Sequence, residues 1–288
     1  MLIARYGDDQ GIHLGVVEDA FVRPIDTAGM ALPEDASRIG VAALAAAGWR
    51  DGQPLRLGEP RPRTTIRLLA PVPRPEKIIC VGVNYGLHAA ESNIAPPPFP
   101  EIFAKFASAI QDPDGPIELM AGDPAVDYEG ELTVVLGSAA RNLSLDDALE
   151  AVAGYTVGND VSARTVQLRV TQWIAGKTPD TFCPIGPWMA TPATIGDPQS
   201  LAISTAIGDE TLQSASTGQM IFTVAHLLVY LSSMVTLRPG DIILTGTPAG
   251  VGHTRKPPRY LREGDVVEVT IERIGTLRNP VVSPRVSG

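Results

Sequence analysis

Residues 127–137 of this chain read DYEGELTVVLG, and this stretch decides both the fold class and the candidate site. Its second half, residues 131–136, is an apolar run that begins with one acid, as is typical of a buried strand. In an extended chain, residues two apart point to the same face, so Glu129 and Glu131 stand side by side and Asp127 is placed to join them. Carboxylates this close repel each other, and burial increases the cost. Either a cation lies between them, or they are solvated strand acids.

Short apolar runs of the same kind recur on both sides of this stretch. They predict strands over residues 77–83, 155–157, 241–245 and 267–271, the last with apolar and polar residues alternating. A helix is predicted over residues 144–153, because Ser144 and Asp147 match a capping box. Strands outnumber helices and no βαβ order is visible, so the sequence predicts a mixed α/β, β-rich fold.

A domain boundary is predicted at residues 71–75, PVPRP. Three alternate prolines make a stiff, extended connector. Residues 1–70 are therefore expected to form a small N-terminal domain, and residues 71–288 the larger domain that carries the chemistry.

The composition excludes some partners. Of 288 residues, 23 are Lys or Arg and 32 are Asp or Glu, which gives a net charge of −9. Nucleic-acid affinity depends on contacts between phosphates and Lys or Arg, so an acidic chain without a basic run is not expected to bind nucleic acid. The first ten residues contain no apolar stretch typical of a signal peptide, and two cysteines make no disulfide framework. We therefore expect a cytoplasmic protein.

One apolar segment resembles a membrane span in length. Residues 219–237 carry no formal charge when His226 is neutral. A span needs about 20 predominantly apolar residues, whereas this segment contains several polar ones. We interpret it as a buried helix with His226 as a core histidine, and we expect no membrane partner.

A third carboxylate is available at Asp160, in the sequence GND at the end of a predicted strand. Together with Glu129 and Glu131 it would supply hard oxygen ligands, which favour Mg²⁺, Mn²⁺ or Ca²⁺ over Zn²⁺. The alternative is a pair of exposed strand acids and an unrelated turn aspartate.

Two further features carry candidate catalytic groups. His88 and Glu91 are three residues apart, which places them on one face of a helix. A carboxylate beside an imidazole orients it and raises its basicity, as a general base requires. This segment leads to Pro96–Pro98 and is typical of a lid, although an exposed His–Glu pair is the alternative. Lys177, in a loop rich in Gly and Pro, is either a surface charge or a cation directed at a substrate oxyanion.

Seven segments together resemble the fumarylacetoacetate hydrolase superfamily, in the family's order, from Lys77 to Val281. They are VGVNYGLHAAE, IFAKFASAI, DYEGELTVVLG, GYTVGNDVSAR, GKTPDTFCPIGPW, LRPGDIILTGTPAGVG and GDVVEVTIERIGTLRNPV. The resemblance implies a catalytic domain with the mixed β-roll of that family, preceded by a small N-terminal domain.

The resemblance also implies roles for the acidic and lid residues. Glu129, Glu131 and Asp160 match the three carboxylate ligands of Mg²⁺, with Mn²⁺ and Ca²⁺ as alternatives. His88 and Glu91 match the His–Glu dyad that smaller members carry on a lid.

Substrate contacts are implied in the same way. Lys177 matches a lysine near the metal, Gln167 a glutamine that binds the substrate oxyanion, and Thr247 a threonine that contacts the substrate carboxylate. We also predict that Tyr85, in the lid segment, contacts the substrate. Thr165 stands where the family often has an aspartate, which removes a charge beside a predicted ligand.

The activity implied by the resemblance is cleavage of a C–C bond in a 2,4-dioxo acid such as an acylpyruvate, by a homodimer. His88, oriented by Glu91, would activate the attacking water. A 2-oxo acid decarboxylase and a hydroxymuconate-type isomerase are alternatives on the same site. A catalytically inactive, metal-binding scaffold is an alternative of another class.

Overall fold

The structure, a computed structural model, describes residues 1–284. Its strands are β1 (Leu2–Asp8), β2 (Gly11–Glu18), β3 (Phe21–Pro24), β4 (Arg61–Pro62), β5 (Arg67–Leu69), β6 (Ile78–Gly82), β7 (Glu101–Lys105), β8 (Ile110–Gln111), β9 (Ile117–Glu118), β10 (Val126–Asp127), β11 (Gly130–Leu136), β12 (Val152–Asn159), β13 (Ser162–Ala163), β14 (Cys183–Ala190), β15 (Ala202–Ile207), β16 (Glu210–Ser216), β17 (Ile242–Leu244), β18 (Val266–Ile271) and β19 (Gly275–Val282). The α-helices are α1 (Ala36–Ile39), α2 (Ala42–Ala46), α3 (Gly86–Glu91), α4 (Arg164–Gln167), α5 (Ile174–Lys177), α6 (Pro192–Ile195) and α7 (Val224–Met234). The mixed α/β, strand-rich prediction is confirmed.

Strand β11 lies inside the largest sheet, whose order is β4-β3-β2-β1-β14-β12-β11-β17-β6-β7, with β5 paired to β1 and β8 to β14. All seven residues of β11 are buried, as its apolar run predicts. The strands predicted over residues 77–83, 155–157, 241–245 and 267–271 are present as β6, β12, β17 and β18.

A five-stranded sheet in the order β16-β15-β18-β19-β9 packs on the face of β11 opposite the acidic side chains. At Gly130, an added Cβ would lie 2.3 Å from Thr205 Oγ1 and 2.9 Å from Val269 Cγ1. Only glycine permits this approach, since such distances are shorter than van der Waals contact. The glycine between the two glutamates therefore lets the second sheet support the backbone of the site.

The N-terminal strands continue the main sheet. Strand β1 pairs with β14 through Leu2 opposite Ala190 and Ile3 opposite Met189. One buried apolar cluster contains residues from both sides of residue 71, among them Ile3. The boundary at residue 70 stays a prediction, and the last four residues of the predicted larger domain lie outside the described part.

Two local predictions are wrong. Residues 144–153 form no α-helix: Ser144 Oγ does contact Asp147 Oδ2 at 2.6 Å, but only a 3₁₀ turn follows, at Ala148–Ala151. Strand β12 begins at once because pairing with β11 determines the backbone there. His226 is exposed rather than buried, and its Nδ1 lies 2.7 Å from Thr223 Oγ1, the cap of α7. No helix within residues 1–284 has the length and apolar character needed to cross a membrane.

Candidate active site

The antiparallel pairing of β11 with β12 brings the three predicted carboxylates together. Glu131 is opposite Gly158, so the start of β11 lies beside the end of β12, where the Asp160 N–H donates to the Glu129 carbonyl at 2.9 Å. Glu129, Glu131 and Asp160 are all buried, and each offers an oxygen within 4.8 Å of the others. The acidic cluster therefore contains one residue just before β11 (Glu129), one within β11 (Glu131) and one just after β12 (Asp160).

Asp127 does not join this cluster. Its carboxylate accepts hydrogen bonds from Arg164 Nε at 2.9 Å and from the backbone N–H groups of Gly252 and His253 at 2.8 and 3.0 Å. Asp127 therefore orients Arg164 and the end of the loop that follows β17.

Two buried lysines contact the acidic cluster. Lys177 Nζ lies 2.7 Å from Glu129 Oε2 and 2.8 Å from Asp160 Oδ2, as expected of a cation at the site. Lys105 Nζ donates to Asp160 Oδ1 and to the Val161 carbonyl, the latter at 3.1 Å. Sequence reasoning missed Lys105, since the only signal was a single lysine within the apolar segment IFAKFASAI.

Arg164 is a third buried cation, also missed from the sequence. Its Nη2 lies 2.7 Å from Glu129 Oε1 and 2.8 Å from Asp127 Oδ2, and its Nη1 donates to Gln167 Oε1 at 3.0 Å. Thr165 points outward and is exposed. An aspartate at that position would lie away from the buried contacts of Arg164. Having Thr165 there instead of an aspartate therefore leaves those contacts intact.

Glu131 differs from its neighbours because no Lys, Arg or His of residues 1–284 lies within ion-pair distance of it. One hydrogen bond reaches it, from the Gly246 N–H at 2.7 Å. Burial, followed by the charges of Asp160 and Glu129, raises the pKa of Glu131 well above its ordinary value. A buried carboxylate repelled by two others is a position where a divalent cation fits, because such a cation supplies the missing positive charge.

Glu129 and Lys177 are ionised, because each shifts the pKa of the other toward its charged form. Burial alone would raise the pKa of Glu129, but Lys177 and Arg164 hold it well below its usual range. Burial alone would lower the pKa of Lys177, but Asp160 and Glu129 raise it above its ordinary value. Lys177 is thus a hydrogen-bond donor at neutral pH and not a base.

The predicted dyad lies on helix α3. His88 Nδ1 is 2.8 Å from Glu91 Oε1, and the Gly250 N–H donates to Glu91 Oε2 at 2.9 Å. Burial would raise the pKa of Glu91, but the hydrogen bonds from His88 and from Gly250 lower it. The ionised Glu91 therefore fixes the imidazole and also holds α3 against the loop after β17.

A cavity of about 200 Å³ joins these groups. Six predicted site residues line it, namely His88, Glu129, Glu131, Gln167, Lys177 and Thr247. Asp160 and Glu91 reach it through their contacts with Lys177 and His88. A larger cleft of about 570 Å³ lies against residues 137–153, but the described chain has no group of three metal-ligating side chains there.

Tyr85 is placed differently from the other predicted residues. It lies in a separate groove beside Ser214 and Pro248. Its hydroxyl has no hydrogen-bond partner within residues 1–284, and burial together with the charge of Glu131 raises its pKa. Thr247 does line the cavity, while its hydroxyl donates to the Gly130 carbonyl at 3.0 Å.

Known proteins resemble this chain over most of its length. The family model for the C-terminal region of fumarylacetoacetate (FAA) hydrolase matches residues 77–282. The chain belongs to the fumarylacetoacetate hydrolase family. That segment contains every predicted site residue and ends at the last residue of β19.

Relatives in the family are enzymes with several activities, and this chain is an enzyme of the same family. A mitochondrial oxaloacetate tautomerase of Xenopus laevis is 47% identical over 222 residues, 76% of this chain and 70% of that protein. A 2,4-didehydro-3-deoxy-L-rhamnonate hydrolase of a Sphingomonas strain is 42% identical over 284 residues, 98% of this chain and 96% of that protein. The crystal structure of a 5-carboxymethyl-2-hydroxymuconate delta-isomerase from Mycobacterium smegmatis superimposes with a TM-score of 0.79 at 35% identity, covering 98% of this chain and 100% of that one.

Proposed function

We propose that this chain hydrolyses a C–C bond of a 2,4-dioxo acid of the acylpyruvate type. The observation that carries the proposal is a general-base pair, His88 with Glu91, facing the same cavity as the acidic cluster. The relative that matches 98% of the chain adds support, because its name denotes a hydrolase of a sugar acid with keto groups at carbons 2 and 4.

A divalent cation would be held by Glu129, Glu131 and Asp160, which supply oxygen ligands around the uncompensated charge of Glu131. Such a cation would supply Lewis-acid chemistry, withdrawing electron density from the 2-oxo acid group. Mg²⁺ is our first choice, with Mn²⁺ or Ca²⁺ as alternatives, because all three prefer carboxylate oxygens.

The chain's own residues perform the proton and charge steps. His88, held by Glu91, takes a proton from water, and the water oxygen attacks the keto carbon at position 4. The amide nitrogen of Gln167 and the third N–H of Lys177 donate to the oxyanion that forms there. The bond between carbons 3 and 4 then breaks, and its electron pair goes to carbon 3, giving the enolate of a 2-oxo acid. That enolate takes up, at carbon 3, the proton that His88 took from water, which restores the base, and the products are a carboxylic acid and the 2-oxo acid.

The test is turnover of acetylpyruvate, fumarylpyruvate and oxaloacetate with Mg²⁺ or with EDTA. We expect metal-dependent cleavage of an acylpyruvate, and His88→Ala to lower kcat by at least about 100-fold while Mg²⁺ affinity stays near that of the wild type. His226→Ala is the matched control, since His226 is exposed and outside the cavity. Unchanged hydrolysis by His88→Ala would remove His88 from the mechanism.

Tautomerisation or isomerisation is the second candidate, favoured by the identity of 47% with an oxaloacetate tautomerase. It needs a proton carrier such as His88 but no attacking water. Enol–keto exchange of oxaloacetate without acylpyruvate cleavage would select it, and decarboxylation would appear as pyruvate release from oxaloacetate. No metal-dependent turnover of any substrate would instead select the inactive scaffold.

We keep a homodimer and the cytoplasm as proposals. Strand β7 ends the main sheet, and the side chains of Ile102 within it and of Phe106 just after it are 41% and 57% exposed. Exposed apolar groups on an edge strand are typical of an interface.

The cytoplasmic proposal rests on two buried, unpaired cysteines, which suit a reducing compartment. Light scattering and cell fractionation would test these two proposals.

A further inference from the structure

The cavity contains a second histidine that the proposed reaction does not use. His253 lines the cavity together with His88, and its neighbours Val251 and Thr254 line it too. These neighbours belong to the loop that follows β17. Because His253 is exposed as well, it lies at the mouth of the cavity.

Two contacts hold His253 in place. Its backbone N–H donates to Asp127 Oδ2 at 3.0 Å, next to the Gly252 N–H, which donates to Asp127 Oδ1 at 2.8 Å. Its ring Nδ1 lies 2.9 Å from the Tyr260 hydroxyl oxygen. A hydrogen bond at one ring nitrogen fixes the orientation of an imidazole. The backbone and one ring nitrogen of His253 are therefore both engaged.

The other ring nitrogen of His253 is left for a ligand. Within residues 1–284, no hydrogen bond or ion pair reaches Nε2 of His253. An imidazole nitrogen either donates or accepts a hydrogen bond, depending on the tautomer of the ring. His253 thus presents one hydrogen-bonding nitrogen in a fixed setting at the mouth of the cavity.

The loop that carries His253 also holds the proposed general base. The Gly250 N–H donates to Glu91 Oε2 at 2.9 Å, and Glu91 Oε1 lies 2.8 Å from His88 Nδ1. In the proposed reaction His88 activates the water that attacks carbon 4. The loop therefore borders the part of the cavity where carbon 4 reacts.

A second set of contacts connects His253 to the proposed oxyanion donor. Asp127 Oδ2 accepts from the His253 N–H and from Arg164 Nε, the latter at 2.9 Å. Arg164 Nη1 in turn donates to Gln167 Oε1 at 3.0 Å. Short contacts thus connect His253 to both groups that act on carbon 4, His88 and Gln167. The tail that carbon 4 carries is the part of the substrate closest to these groups.

We infer that His253 binds the substrate tail, and that the site selects 2,4-dioxo acids with a hydroxyl group on carbon 5, next to the attacked keto group. The inference rests on the proposed hydrolytic function and names its substrate class. A hydroxyl group both donates and accepts, so it pairs with Nε2 in either tautomer of the ring. A keto oxygen only accepts and an ammonium group only donates, so each would fit one tautomer alone.

The first test compares kcat/KM for 5-hydroxy-2,4-dioxohexanoate and 2,4-dioxohexanoate, which have the same carbon chain and differ in one hydroxyl group. We expect the wild type to favour the hydroxylated acid by about tenfold, the effect of one hydrogen bond in a binding site. Equal rates, or a preference for 2,4-dioxohexanoate, would overturn the inference and leave the proposed function intact. Failure to cleave any acylpyruvate would overturn the proposed function and the inference with it.

The second test removes the hydrogen-bonding nitrogen. His253→Phe keeps a flat ring without any hydrogen-bonding atom, and because His253 is exposed the change leaves the core undisturbed. We expect the preference ratio to fall about tenfold from its wild-type value. The intrinsic reactivity of the two acids is the same with either enzyme, so it cancels from this comparison.

Two further variants complete the second test. His253→Gln carries an amide that also donates and accepts, so it should retain most of the preference. His226→Phe is the matched control, because His226 is exposed and does not line the cavity, and its ratio should stay as in the wild type. An unchanged ratio in His253→Phe, or an equal fall in His253→Gln and His253→Phe, would overturn the inference.

Discussion

At the scale of single residues, the buried carboxylates of the site differ in how many cations contact them. Glu129 contacts Lys177 and Arg164, and Asp160 contacts Lys105 and Lys177. Glu131, buried at 2% exposure, receives one backbone hydrogen bond. Because buried charges need partners, neutralising Glu131 and neutralising Glu129 should have opposite effects on the metal-free protein.

Glu131→Gln should raise the metal-free free energy of unfolding by about 1 kcal/mol, because it removes the repulsion from Glu129 and Asp160 while an amide oxygen still accepts from Gly246. It should also abolish stabilisation by Mg²⁺, which at 100 times the Kd amounts to about 2.7 kcal/mol in the wild type. Chemical denaturation with and without Mg²⁺ measures both effects.

The matched variant Glu129→Gln leaves Lys177 and Arg164 with one carboxylate fewer. It should lower the metal-free free energy of unfolding by about 3 kcal/mol, the range for breaking a buried ion pair. If both variants were destabilised equally without metal, the unequal partnering of the two glutamates would be refuted.

Lys105→Met should lower the free energy of unfolding by about 3 kcal/mol, since Asp160 Oδ1 and the Val161 carbonyl lose their donor in the interior. The control is Lys77→Met. Lys77 pairs with Asp241, but its side chain is 25% exposed and distant from the cavity, so we expect a cost of about 1 kcal/mol. Urea denaturation measures both, and similar costs would argue against a buried role for Lys105.

At the scale of elements, one glycine connects helix α3 to the segment just before β11. The Gly250 N–H donates to Glu91 on α3, and the Gly250 carbonyl accepts from the Tyr128 hydroxyl at 3.0 Å. Gly250 has a φ of +105°, and a Cβ there would lie 2.2 Å from the Leu212 carbonyl oxygen. Only glycine permits both contacts at once.

Gly250→Ala should therefore release α3. We expect faster amide hydrogen exchange across residues 86–92, while β11 remains protected, and a loss of kcat because His88 is no longer held. Gly264→Ala separates this effect from backbone strain, since Gly264 has a φ of +88° with open space around it. That control should lower stability by about 1 kcal/mol without changing exchange in α3, and equal changes in both variants would refute the connection.

At the scale of the whole molecule, the main sheet extends from the N-terminal strands to β7 without interruption. The pairing of β1 with β14 and the apolar cluster around Ile3 join residues 1–70 to the rest of the chain. Shared strands and a shared core favour a single cooperative unit.

Ile3→Ala should accordingly lower the stability of the entire molecule by about 3 kcal/mol, in one unfolding transition. Ile3 is fully buried, whereas Ile12 in the neighbouring strand is 63% exposed, so Ile12→Ala should change stability by less than about 0.5 kcal/mol. Calorimetry showing two transitions, with only the first shifted by Ile3→Ala, would contradict a single unit.

Local spacing in the sequence is enough to predict the features that depend on a few neighbouring residues. Extended geometry put Glu129 and Glu131 on one face, and helical geometry put His88 beside Glu91. The prediction for residues 144–153 was wrong because a local capping pattern is weaker than the pairing of β12 within the sheet.

Which charges contact one another depends on how the strands pair and pack. Residues 106–140 contain seven acids and no Lys or Arg, so composition alone indicates a strongly negative region. The pairing of β11 with β12 and the packing around it instead bring Arg164 and Lys177 against Glu129 of that segment, and Lys105 against the neighbouring Asp160. Among residues 1–284 no cation contacts Glu131. Contacts between residues 17 to 55 positions apart are set by how strands pair and pack, which local spacing does not specify.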